Sequence, residues 1–107
     1  VSGKGEEGMV KGIIGYKVLD YSSVEPILAH LRLSAKRYPG FVGAEFLFGD
    51  GDHSIGVMIS TWQAVEDWRA WVESKATQEL LQRARTIVAG TPRITSYTVM
   101  PAADWQL

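Results

Sequence analysis

The chain of 107 residues contains neither cysteine nor asparagine. Without cysteine there are no disulfides, thiolate metal sites, iron–sulfur clusters or cysteine nucleophile. No charge of one sign predominates: 11 basic and 12 acidic residues leave a formal charge of -1. That balance removes the electrostatic case for nucleic acid or an anionic membrane surface as a partner. No apolar run approaches the ~20 residues that cross a bilayer, and no signal peptide is visible, so a cytoplasmic location is the expectation.

What is present is an ordinary globular composition, 46% hydrophobic and 21% charged. A single domain is expected, and at this length folding hides only about 60–65% of the extended chain's surface. Residues 1–8 hold three glycines and are expected to form a flexible arm, and 101–107 a C-terminal tail, with the domain over 9–100. Trp105 and Leu107 in that tail could dock on a surface.

Periodicity predicts strand, helix, two strands, two helices and strand. Met9 to Val18 reads as a strand with Ile14, Tyr16 and Val18 on one face. Ser22 and Glu25 have the spacing of a capping box, with Pro26 in the first turn. Val24, Ile27, Leu28, Leu31 and Ala35 form one stripe of that helix, which Tyr38-Pro39-Gly40 stops. Phe41 to Phe48 and Ser54 to Trp62 read as a hairpin around Gly49-Asp50-Gly51-Asp52. A short helix over Ala64 to Glu73 carries Ala64, Val65, Trp68, Trp71 and Val72 on one stripe. The next repeats Ala76, Leu80, Ala84, Ile87 and Val88, and Arg93 to Met100 closes as a strand.

This βαββαβ order predicts an α+β, ferredoxin-like fold: an antiparallel sheet with its helices on one face. The middle strands are apolar on both faces. Phe41 and Leu47 oppose Val42, Ala44, Phe46 and Phe48, while Ile55, Val57 and Ile59 oppose Met58 and Trp62. Helices cover one face only, so the other is expected to pack against a second copy, giving a homodimer joined sheet to sheet.

The stretch Tyr38-Pro39-Gly40-Phe41-Val42-Gly43-Ala44-Glu45-Phe46-Leu47 resembles the antibiotic biosynthesis monooxygenase family of dimeric α/β barrels. So do Ser60-Thr61-Trp62, Glu66-Asp67-Trp68-Arg69-Ala70-Trp71 and Pro92-Arg93-Ile94, in the family's order over roughly 9–100. The resemblance implies a pocket between sheet and helices in each subunit. It also implies a cofactor-independent monooxygenase or a quinone-active oxidoreductase acting on a small aromatic or quinol substrate. The alternative, in keeping with the missing Asn, is a non-catalytic binder of a small hydrophobic ligand on the same fold. The haem-degrading branch uses an Asn on the first strand, a helical Trp and a His ligand one helix later. Trp71 falls at that Trp position, but Leu81 stands where the His would be and the chain contains no Asn. Haem degradation is therefore not expected. The Asn of some cofactor-free members is missing for the same reason.

The candidate ligand-binding residues are Trp62, Trp68 and Trp71, with Tyr16 and Phe46 behind them; the same side chains also fit a plain core. No catalytic base is evident. His30 flanks an apolar stripe and His53 sits at the hairpin. Either could take a proton from a phenol, and each also reads as an ordinary boundary histidine. Asp50-Gly51-Asp52-His53 lacks the remaining ligands of a calcium loop, so no metal is expected. Glu66 and Asp67 point about 100° apart on a helix and suit its first turn. Arg32 with Lys36, and Arg83 with Arg85, read as solvated charges. Gly40-Phe41-Val42-Gly43-Ala44 loosely matches an RNA-recognition motif, but on the wrong strand and without a leading cation.

Overall fold

The computed structural model describes residues 8–100. The expected C-terminal tail and all but Gly8 of the expected arm lie outside the described residues. The elements run β1 (Val10–Lys17), α1 (Tyr21–Ala35), β2 (Phe41–Phe48), β3 (Ile55–Trp62), α2 (Val65–Val72), α3 (Lys75–Ala84) and β4 (Arg93–Thr98). The strands form an antiparallel sheet in the order β2-β3-β1-β4. This is the α+β, ferredoxin-like arrangement that the sequence predicts.

The core lies between the sheet and all three helices. Val10 and Ile14 of β1 and Met58 and Trp62 of β3 meet Ile27, Leu31 and Ala35 of α1. Trp68, Trp71 and Val72 of α2 and Leu81 and Ala84 of α3 complete the cluster. A smaller group, Val18, Val24 and Val88, closes one end, where Val18 bridges to Val88.

Three local readings are corrected. The cap of α1 is Asp20, whose carboxylate accepts from the Ser22 amide at 3.2 Å and from the hydroxyls of Ser22 and Ser23. Aspartate caps as well as serine, and two hydroxyls within its reach favour the earlier start. Pro26 consequently sits in the second turn rather than the first, where its missing amide leaves out one helical hydrogen bond. In α3 the buried positions are Thr77, Leu81 and Ala84, so the stripe is rotated from the expected Ala76 and Leu80. Ser74 caps that helix by accepting from the Thr77 amide.

The third correction concerns β2. Phe41 pairs with Trp62 and Gly43 with Thr61, so Val42 is an extra residue in a β-bulge. The bulge moves Phe41 onto the helix-facing side with Ala44, Phe46 and Phe48, instead of opposite them. The other sheet face then shows Gly43, Glu45 and Leu47 beside Ile55, Val57, Ile59 and Thr61. Ile13, flanked by Lys11 and Lys17, extends it on β1. Leu47 and Ile55 are 45% and 50% exposed there, so the second face does hold an apolar centre open to solvent.

Candidate functional site

The three tryptophans of the sequence reading come together inside the core. Trp62 and Trp71 are stacked with centroids 5.6 Å apart, and Trp68 lies 5.7 Å from Trp71 and 6.5 Å from Trp62. Their exposures are 0%, 4% and 0% for Trp62, Trp68 and Trp71. Each polar edge at the ends of this cluster is satisfied. Trp62 Nε1 donates to Ser60 Oγ at 2.9 Å, and Trp71 Nε1 donates to Ser34 Oγ at 2.8 Å. Gly12 allows the approach of Trp68, because a Cβ there would overlap its ring.

Tyr16 and Phe46 stand apart from that cluster, on the floor of a groove of about 490 Å³ between α1 and β2. Phe48 continues the floor, Tyr21, Leu28 and Ala29 form the α1 wall, and Leu33 and Leu47 stand at the edges. None of the three tryptophans lines it. The register explains the floor: Phe46, Phe48 and Tyr16 project to the helix side, and Tyr16 lies over its partner Gly56 on β3. Burial pushes the Tyr16 phenol up to about 12, with the nearby Tyr21 adding to the rise. The hydroxyl is therefore protonated at neutral pH and available as a donor.

The polar residues of the groove come from one edge of α1. Glu25, Arg32 and Lys36 all line it, spaced i, i+7 and i+11. Seven residues are roughly 10 Å of helix and four are about 6 Å, so the acid stands toward one end and the two cations toward the other. Among the described residues, neither Arg32 nor Lys36 has an acidic partner within ion-pair distance. Sequence reasoning missed Glu25, Tyr21 and Phe48 as lining residues and treated Arg32 and Lys36 as merely solvated. The i, i+7, i+11 spacing beside the apolar stripe was the available signal.

The two histidines are separated. The His53 ring packs against Phe48 at 4.6 Å, and its carbonyl accepts from the Tyr21 hydroxyl at 2.6 Å. It thus buttresses one end of the groove without lining it. His30 lies in a more open hollow between α1 and α3, with Ser34, Arg37, Glu79 and Arg83. Asp52 holds the hairpin by accepting from the amide and hydroxyl of Ser54, and these bonds lower its carboxyl pKa. No group of three or more His, Asp or Glu side chains that could hold a metal ion occurs among the described residues. Leu81, which the sequence resemblance sets against the haem-degrading branch's histidine, is a core residue.

No protein-family model and no curated protein matches this chain. Solved structures do. SnoaB, a cofactor-independent oxygenase from Streptomyces nogalater, superimposes with a TM-score of 0.77 at 18% identity, covering 89% of this chain and 96% of its own. A conserved protein from Methanosarcina mazei gives 0.74 at 11% identity, over 91% of this chain and 97% of that one. A further structure, named antibiotic biosynthesis monooxygenase, gives 0.72 at 13% identity over 86% of this chain and 99% of its own. The fold of this chain is that of solved structures bearing the antibiotic biosynthesis monooxygenase name.

Proposed function

We propose that the chain is a cofactor-independent monooxygenase for a small aromatic or quinol substrate, which it binds in the groove between α1 and β2. The observation that carries this reading is the apolar floor of Tyr16, Phe46 and Phe48 beneath the α1 wall. A flat ring fits such a surface, and the protonated Tyr16 hydroxyl supplies a donor beside it. The tryptophan cluster lies toward the Val10 and Phe41 end of the sheet, outside the lining of the groove. The fold shared with a cofactor-independent oxygenase supports the chemistry.

In that chemistry the substrate loses a proton and its anion gives one electron to dioxygen. The radical pair combines to a peroxide, and loss of water leaves one oxygen atom on the substrate as a carbonyl. Both hydrogens of the water come from the substrate and its transferred proton. The chain contributes a groove that limits water, an orientation for the ring, and the Tyr16 hydroxyl toward developing negative charge. Oxygen uptake with a panel of quinols and anthrones tests the reading. Uptake above the buffer rate that falls in Phe46→Ala supports it; uptake equal to buffer throughout removes it.

A second reading, a non-catalytic binder on the same groove, is favoured by one observation. The groove lining holds no imidazole, and the chain no asparagine, so the proton-accepting candidate within it is the carboxylate of Glu25. A thermal-shift screen separates the two. A ligand at 100 times its Kd stabilises the protein by about 2.7 kcal/mol, and recovery of that ligand unchanged in air identifies a binder.

We also propose that the outer sheet face joins two copies. Ile13, Leu47, Ile55, Val57 and Ile59 form its apolar centre, and a small chain gains most by covering it with its own duplicate.

A further inference from the structure

We infer that the molecule taken by the groove is an aromatic acid, with its ring on the Tyr16, Phe46 and Phe48 floor and its anionic group at Arg32 and Lys36. The inference rests on the groove reading above and adds the charge of the occupant.

Three features lead to it. First, Arg32 in the last turn of α1 and Lys36 at its C-cap are four residues apart and both line the groove, so one carboxylate can contact the two together. Second, neither has an acidic partner among the described residues, although the chain as a whole carries a net charge of -1. Two cations beside an apolar floor, without an acidic partner among the described residues, form a local complement to an amphipathic anion. Third, Glu25 stands about two turns from Arg32 on the same edge. It repels an anion at its own end and so fixes the direction in which the ligand lies.

The groove volume and its aromatic floor agree with a small organic ligand carrying a ring. About 490 Å³ is within the range of pockets for small organic ligands, and aromatic side chains form the floor. A guanidinium donates two parallel hydrogen bonds to a planar carboxylate, while the ammonium adds a mobile second contact.

The experiment compares 2-naphthoate with 2-naphthamide, which share a ring system and differ in charge. Binding to the unmodified chain is measured by titration calorimetry at low and high salt. An exposed charge contact is worth up to about fivefold in affinity, so two together are expected to favour the naphthoate by up to about 25-fold at low salt. The preference should shrink as salt rises, because the contacts are at the surface. The double variant Arg32→Gln/Lys36→Gln should bind both probes as weakly as the amide. Should the double variant prove unstable, Lys36→Gln alone should lose part of the preference.

Equal affinity for the two probes in the unmodified chain overturns the charge inference and leaves the groove reading standing. A preference retained in the variants overturns it as well. Failure of both probes to bind overturns the groove reading together with this inference.

Discussion

Tyr16 lies over Gly56, its antiparallel partner, so closely that a methyl group on Gly56 would overlap the edge of the phenol ring. The pair sets the floor of the groove, because the ring occupies the space a side chain on β3 would otherwise fill. Gly56→Ala should push the phenol toward the groove. We expect a modest loss of stability, ~1–2 kcal/mol by urea unfolding, since the ring has open space to move into. Loss of ligand affinity should be the larger effect, read by calorimetry against the same naphthyl probes.

The Tyr16 hydroxyl should ionise late. Its folded pKa is raised from 10.0 to about 12 by burial first and by Tyr21 second. The stabilisation is therefore fully present below pH 10 and is lost as pH climbs through about 12. Absorbance at alkaline pH should show one late component, and Tyr16→Phe should remove it. An unchanged titration in that variant would assign the late component elsewhere.

The cap at Asp20 predicts an acid-side effect of opposite sense. The Ser22 hydroxyl, the Ser23 hydroxyl and the Ser22 amide hold its carboxyl below the usual range. Its contribution is present above about pH 4 and fades as pH falls through the lowered value. Asp20→Ala should fray the start of α1, lower the melting temperature near neutral pH and flatten its dependence on acid. Circular dichroism melts across the acid range check both.

The stack of Trp62 on Trp71 should dominate the near-ultraviolet circular dichroism. Trp71→Phe removes the stacked indole and leaves Ser34 Oγ without its donor. We expect a loss of about 2–3 kcal/mol in stability, from the cavity and the lost hydrogen bond, together with collapse of the tryptophan signal. A variant equally stable in denaturant would show that the indole adds nothing the phenyl cannot.

The outer sheet face predicts the mass in solution. Sedimentation should give twice the 11.8 kDa of one chain, and Ile59→Lys should shift it to the single value while circular dichroism stays unchanged. A lone, well-folded subunit in the unmodified chain would remove the dimer proposal.

The element order, the hairpin and the helix-facing sides of β1 and β3 were legible because period-two and helical stripes are strong over eight or more residues. The start of α1 was not, since Asp20 and Ser22 are both competent caps and only the folded loop decides between them. Phe41 was misplaced because a single unpaired residue reverses every parity upstream of it, and Val42 carries no local signature. The tryptophans read equally well as core or wall, since both environments demand large apolar side chains. The groove itself depends on how far α1 stands from β2. No residue pattern encodes that distance, so Glu25, Arg32 and Lys36 looked like surface charges until the two elements were set side by side.

The bulge at Val42 has a consequence for how this strand tolerates insertions and deletions. Removing that one residue would leave Phe41 opposite Trp62 and Gly43 opposite Thr61, with all later pairs intact. A deletion a few positions further along would instead turn Phe46 and Phe48 away from α1 and bring Leu47 inward. Homologous chains should thus differ in length at this point far more readily than anywhere else in β2.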